Sequence, residues 1–386
     1  FLFVEKSRER EAATYAGARL VSGDYTGLYG EPLRRVEFSD DREMKALAKN
    51  MPTWEANIAH ANRVLAENNV TIPAYEHRIL YLDMEWMISS GAITIVVMHD
   101  SIEGEFVLFR HPDIEPGYYA SIPCADHPEG LEACTTEGRH FKAVATEADL
   151  LREVARIVRR LDPDILTGWN VTNADVQQLF KRFKANDLDV RTLSPMRKVR
   201  YDFGEWAQPI AGMNVIDLMV AFKKLWTIKN GQLPGMSLSV VAQHCLQDDK
   251  VDLPNGHDTY FTDIGTYLDY ARQDVRLLPR LNDLVGATGF FTAIQDFAQC
   301  DIRTTPFITQ VFSVLALRDP LFSLRIPSKP QFDKVQYQGA DIQDPEAGVY
   351  PNIGIFDVRA MYHSNVNLHN ISWDTLGEGA DCGNGT

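Results

Sequence analysis

The chain has 386 residues, 45% hydrophobic and 24% charged. That balance excludes a disordered tail and allows two or three domains with cores of their own. Asp and Glu number 53 against 38 Lys and Arg, giving a formal net charge of −15. Nucleic-acid binding through bulk charge is thereby excluded, which leaves only a local basic channel beside an acidic site. Five cysteines, at 124, 134, 245, 300 and 382, have no C-x-x-C spacing, so neither a zinc site nor a disulfide framework is expected, and an intracellular, reducing compartment is. No apolar run reaches the roughly 18 residues of a membrane span, and no secretory leader is visible. Neither a membrane partner nor secretion is expected. The chain starts on Phe1 and finishes on Gly383-Asn384-Gly385-Thr386, and both ends read as cut.

Residues 1–75 are mixed and polar, with a helical stretch around Asn57–Glu67. From Arg78 the pattern predicts three strands, Arg78–Trp86, Ile93–Met98 and Phe106–Arg110, with turn-rich breaks between them. A Pro-, Gly- and Cys-bearing loop runs from His111 to about Arg139. Thr146-Glu147-Ala148-Asp149 has the form of a capping box before an apolar-periodic helix, Leu150–Leu161. A short buried strand, Asp164–Trp169, and a helix from Asp175 to about Phe183 follow. Next come a strand at Asn214–Asp217, a helix at Leu218–Trp226 and one long helix over Thr262–Val285. Residues 290–326 read as mostly helical, with Cys245 and Cys300 as core. Gly354-Ile355-Phe356-Asp357-Val358 reads as a buried strand that begins something new. Strands mixed with helices up to about residue 285 make an α/β domain.

Three acidic elements stand out. Asp83 and Glu85 lie two apart in the first strand, so they share a face. Two carboxylates inside an apolar strand are costly unless paired, and a hard divalent cation selects such oxygen ligands. The bland alternative is a solvated sheet edge. Asn170-Val171-Thr172-Asn173-Ala174-Asp175 is a polar turn in which Asp175 opens a helix, where the helix dipole alone favours an acid. Tyr270 and Asp274 stand at i and i+4 of the long helix and share its face. About two Tyr-x-x-x-acid spacings are expected by chance in this composition, and the chain holds four, starting at Tyr81, Tyr201, Tyr270 and Tyr337. Of these, the one at Tyr270 sits in a well-defined helix, and its plain alternative is a surface Tyr–Asp pair.

Taken in order, the strand D-x-E, the strand–turn N-x-x-N-A-D and the helical Y-x-x-x-D resemble the three exonuclease motifs of family B DNA polymerases, whose nuclease is of the DEDDy type. Residues about 78–285 carry the resemblance. It implies an RNase H-like α/β fold, a mixed sheet with flanking helices. It also implies catalytic roles for Asp83, Glu85, Asp175, Tyr270 and Asp274. Among them Asp83, Glu85 and Asp274 would be ligands to two Mg²⁺, with Mn²⁺ an alternative. Tyr270 would hold the attacking water, and Asn170 and Asn173 would contact DNA. Ala174 departs from the family, which usually has an aromatic there, and this puts the grip on the 3′-terminal base in doubt.

Further on, Tyr337-Gln338-Gly339-Ala340 resembles the family's Y-x-G-G/A element and implies primer contacts for Tyr337 and Gly339. The run Phe356-Asp357-Val358-Arg359-Ala360-Met361-Tyr362-His363-Ser364-Asn365, with Asn370-Ile371-Ser372-Trp373-Asp374-Thr375-Leu376 after it, resembles polymerase motif A. That implies a metal ligand at Asp357 and, at Tyr362, a nucleotide contact that excludes the ribose 2′-hydroxyl, the group that marks RNA. Arg359, Ala360 and His363 depart from the motif. The implied organisation is the tail of an N-terminal domain at 1–75, the 3′–5′ exonuclease at 76–285, a helical connector at 286–332 and the start of a truncated palm at 333–386.

The expected function is template-directed DNA synthesis with proofreading by two-metal phosphodiester hydrolysis. Its partners would be a single-stranded primer 3′ end, template DNA and deoxynucleotide triphosphates, in cytoplasm or nucleus according to host. With one palm carboxylate present, the chain as given is expected to degrade a primer and not to extend it. A decayed, non-catalytic DNA-binding module and a standalone 3′–5′ exonuclease are the alternatives. Lys181-Arg182-Phe183-Lys184 and Arg197-Lys198-Val199-Arg200 are candidates for tracking a single strand or for plain solvated faces. Arg156, Arg159 and Arg160 read as an exposed helix surface.

Overall fold

The computed structural model describes residues 1–114, 139–248, 253–319, 324–328, 344 and 346–371. It divides into two compact units, Phe1–Gln331 and Phe332–Thr386.

The first unit opens with a small antiparallel sheet. Strands β1 (Leu2–Glu5) and β2 (Ala18–Thr26) flank β3 (Pro32–Phe38). Helix α1 (Asp41–Asn50) closes its core by setting Met44 and Leu47 against Leu2, Val4 and Val36. Helix α2 (His60–Glu67) follows. The polar first 75 residues gave no sign of these strands, because β2 is exposed or half-exposed along its whole length and lacks the alternation that betrays a buried face.

The larger sheet positions the site. Among the described residues it has six strands in the order β7-β6-β5-β4-β8-β9. Strands β4 (Ile79–Trp86), β5 (Ile93–Asp100) and β6 (Gly104–Phe109) form an antiparallel meander. Strand β7 (Arg139–Ala143) runs parallel to β6; β8 (Ile165–Gly168) runs parallel to β4, and β9 (Asn214–Asp217) parallel to β8. The expected loop from His111 lies mostly outside the described residues, and its far end is the strand β7.

Each face of this sheet carries its own core, as a period of two requires. Leu80, Leu82 and Met84 of β4 join Val96, Leu150, Val154 and Leu179 on one face. That face is covered by α3 (Glu147–Leu161) and α4 (Asp175–Ala185). Tyr81 points the other way, into a core with Ile95, Phe222, Val241, Leu268 and Val275. There lie α5 (Leu218–Asn230), α6 (Leu238–Leu246), α7 (Ile264–Val285) and α8 (Ala287–Ala298). Helix α9 (Ile308–Arg318) packs beyond α8 around Cys300, Val311 and Val314. Both helices start where local chemistry dictates. Thr146 caps α3 by accepting from the Asp149 N–H, and Asp263 caps α7 by accepting from the Thr266 N–H.

The described part of the second unit holds one helix, α10 (Met361–Leu368). Here the sequence expectation needs correction. Gly354–Val358 is not a strand, and Ile355 and Phe356 are 91% and 97% exposed. A strand needs a ladder partner for its N–H and C=O groups. Among the described residues none pairs with this segment, so its apolar run alone does not make one.

Candidate active site

Because Tyr81, Asp83 and Glu85 alternate with Leu82 and Met84, both acids face the α7 side of the sheet. Helix α7 is fixed there by Arg272, which is fully buried. It donates to Glu105 on β6 at 2.5 Å and to Asp269 at 3.0 Å. A buried guanidinium tolerates that position only with such fork-like pairing. The pairing sets the rotation of α7, and Asp274 and Tyr270 therefore point at β4.

The result is a cluster in which Asp83, Glu85 and Asp274 each offer a carboxylate oxygen, all within 4.8 Å of one another. Asp274 is 2% and Glu85 9% exposed. Three like charges at that spacing repel strongly in a poorly hydrated site. Their donors are all hard oxygens, the set a divalent cation such as Mg²⁺ takes. The residues present thus fit a metal ion.

Tyr270 lies near enough to this cluster to feel all three of its charges. Burial, then the charges of Glu85, Asp274 and Asp83, push its hydroxyl well above the ordinary tyrosine range, so it stays protonated and can donate. Asp175 is not one of the three clustered acids. It opens α4, is 3% exposed and accepts the backbone N–H of Met84. Burial, then the nearby negative charges of Glu85 and Asp217, raise its carboxyl well above the usual range.

The turn that delivers Asp175 is tightly built. Asn170 adopts a left-handed backbone (φ 59°), a conformation Asn tolerates better than most. Its carbonyl accepts from the Ala174 N–H. Asn173 is exposed at the turn. Asp217, at the end of β9, is fully buried and accepts from the backbone N–H groups of Thr172 and Met219. It both caps α5 and pins the turn.

Two neighbours of the cluster escaped the sequence reading. Tyr267 Oη donates to Glu85 Oε2 at 3.4 Å, and His257 Nδ1 lies 3.1 Å from that hydroxyl and 3.9 Å from Glu85 Oε2. Tyr267 precedes Asp274 by seven residues, two turns on one helix face, and that spacing was the available signal. His257 lies outside regular helix or strand spacing and gave none.

The basic segments are only partly available for a strand. Arg182 is bound to Glu147 and Phe183 is buried, while Arg197 pairs with Asp189. On α3, Arg156 pairs with Glu153 and Arg160 with Glu103. Asp357 and Tyr362 lie exposed in the second unit. Tyr337 and Gly339 lie outside the described residues. Among those described, no helix is long and apolar enough to cross a membrane.

An RNase H-like α/β domain with acids gathered over its central strand is the class that this sheet order and cluster define. A family model described as "DNA polymerase family B, exonuclease domain" matches residues 121–234, a stretch that includes Asp175. The chain is 26% identical to the DNA polymerase delta catalytic subunit of Dictyostelium discoideum, over 84% of this chain and 34% of that protein. It is 26% identical to the DNA-directed DNA polymerase of Escherichia phage RB69, over 91% and 42%, and 22% identical to the DNA polymerase of Thermococcus gorgonarius, over 89% and 47%. Residues 121–234 are thus similar to the exonuclease domain of the family B DNA polymerases, and most of the chain is similar to DNA polymerases. It spans between a third and a half of the length of these three relatives.

Proposed function

We propose that the chain removes nucleotides from DNA 3′ ends by metal-dependent phosphodiester hydrolysis, as the proofreading part of a protein that copies a DNA template. The observation that carries this reading is the convergence of Asp83, Glu85 and Asp274 within 4.8 Å of one another, with their charges acting on Tyr270.

Asp83, Glu85 and Asp274 would hold the metal, and Asp175 would complete the acidic set. Mg²⁺ or Mn²⁺, when bound, would supply charge stabilisation and an acidified water. The protein's own part is orientation and water control. Tyr270, held protonated, donates to or positions the attacking water. That water's oxygen forms the new bond to phosphorus, the bond to the 3′ oxygen of the preceding nucleotide breaks, and that oxygen gains a proton. A mononucleotide leaves. Asn170 and Asn173 line the approach for the strand. Ala174, small where the family has an aromatic, predicts a weak grip on the terminal base and so a raised KM for single strands.

Domain limits at 75/76, 285/286 and 332/333 accord with this reading. In the whole protein Asp357 would bind metal, Tyr362 would contact the incoming nucleotide, and Tyr337 and Gly339 would contact the primer. The substrates there would be primer–template DNA and deoxynucleotide triphosphates.

The test is release of mononucleotides from a 3′-labelled single-stranded oligonucleotide with Mg²⁺. Asp274→Ala is expected to slow release at least about a hundredfold, since even an outer partner of a metal ligand costs up to that much. Equal product from both proteins would overturn the assignment. A decayed binding module would instead bind the strand, release nothing and show no Asp83-dependent rise in Tm with Mn²⁺.

A further inference from the structure

Tyr267 and His257 touch the acidic cluster at one point, Glu85 Oε2, and nothing in the reaction as described uses them. A tyrosine hydroxyl has one proton. If that proton is donated to Glu85 Oε2 across 3.4 Å, the Tyr267 oxygen can only accept from its other neighbour, His257 Nδ1 at 3.1 Å. With the phenol proton on Glu85, the contact calls for an N–H at His257 Nδ1, which gives a chain of bonds in one direction: imidazole N–H to phenol oxygen, phenol O–H to carboxylate.

The burial of its members makes this chain of bonds consequential. Glu85 is 9% and Tyr267 2% exposed, while half of the His257 side chain is in solvent. Tyr267 is held by its ring: it packs edge-on to Tyr260 at 5.6 Å and tilted against Tyr270 at 6.0 Å between centroids. Its hydroxyl is thus aimed by packing, independently of the bond it makes.

A glutamate has three side-chain torsions, and β4 alone does not fix where its oxygens lie. Holding one oxygen from the side limits how the carboxylate can turn beside Asp83 and Asp274. Partners of this kind orient metal-binding carboxylates and typically govern affinity by about 10–100-fold.

We propose that Tyr267 is the positioning residue for Glu85, and that His257 sets the direction of the Tyr267 hydroxyl, so that the pair tunes how tightly the cluster takes a divalent cation. The inference rests on the metal-binding reading above and names the residues that regulate it.

The experiment is Mn²⁺ titration of the full chain, followed by the electron paramagnetic resonance of free ion, for wild type, Tyr267→Phe, His257→Phe, His257→Gln and Asp83→Ala. Tyr267→Phe keeps the ring and its packing, so the apo Tm is expected to stay at the wild-type value while the Mn²⁺ Kd rises about tenfold. His257→Phe is expected to weaken binding less, and His257→Gln, which retains an N–H donor, to recover most of the loss. In the oligonucleotide assay, the Mn²⁺ concentration for half-maximal release should rise in Tyr267→Phe, while the rate at saturating Mn²⁺ stays within about threefold. Unchanged Mn²⁺ affinity in Tyr267→Phe, with binding abolished in Asp83→Ala, would overturn the positioning role alone. Unchanged affinity in both would overturn the metal site itself. A lower apo Tm in Tyr267→Phe with an equal loss of saturating rate would make its role structural and also overturn the proposal.

Discussion

A methyl group at residue 168 would stand 2.4 Å from the carbonyl oxygen of Leu82 and 3.0 Å from Val171. The backbone of β8 therefore approaches β4 at the level of the acids more closely than any side chain permits. Gly168→Ala must push the two strands apart next to Asp83. It is expected to cost about 1–3 kcal/mol, as overpacking a tight interior does, and urea unfolding would read this as a lower midpoint with an unchanged slope. Because Asp83 and the turn to Asp175 flank the contact, the same variant should lose hydrolysis beyond its loss of stability. Asp175 illustrates the opposite economy. It is buried beside like charges, and only backbone N–H groups and its helix start favour its ionised form.

Glu147 shows how one side chain can join three elements. It sits in the first turn of α3, and its carboxylate accepts from Arg182 at 2.6 and 2.8 Å and from Asn186 on the C-terminal side of α4. It also accepts from the Ile93 N–H where β5 begins. Burial opposes its ionisation, but the bonds from Arg182, Asn186 and Ile93 outweigh burial and hold the carboxyl below the usual range. A depressed carboxyl contributes stability that is present above its unfolded pKa, roughly 4.3, and is lost as pH falls through the lower folded value. Glu147→Gln is thus expected to destabilise at pH 7 and to flatten the fall in Tm between about pH 5 and pH 3. An acid limb as steep as wild type would remove Glu147 from the account.

Elements of this kind were legible in the sequence where local chemistry decides them. The Thr146 cap, the alternation of β4, the Asp217 strand end and the periodicity of α7 all speak within a few residues. That Asp83 and Glu85 share one face, and Tyr270 and Asp274 another, followed from strand and helix geometry; that the acids meet was implied by the resemblance of the ordered motifs. What stayed hidden needs contacts across the fold: Tyr267 and His257 on Glu85, Arg272 on Glu105, the short buried strand β1 and the largely half-exposed β2 and β3. The run at Gly354–Val358 misled because hydrophobicity alone does not supply a neighbour.

Across the first unit, the N-terminal segment is tied to its most distant helices through Asn62, which is 1% exposed. Its amide donates to Thr304 Oγ1 at 2.7 Å and its carbonyl oxygen accepts from the Asp301 N–H at 2.7 Å. Gln299 adds a bond from the Ile72 N–H, and Glu55 N–H donates to the Ile326 carbonyl. Asn62→Ala would leave a buried hydroxyl and a buried N–H without their partner. The expected cost is about 2–3 kcal/mol, with faster hydrogen exchange at the Asp301 amide. Unaltered exchange there would show that the tie does not hold the two ends together.

The acids that meet at β4 are drawn from residues 83 to 274, and the Arg272–Glu105 pair holds the helix that carries the last of them. A chain emerging from the ribosome therefore carries its first pair of carboxylates long before it owns a site. Only the docking of α7, after nearly all of the sheet exists, completes the acidic cluster. On the proposed function, a newly made molecule is harmless to DNA until its fold is almost finished.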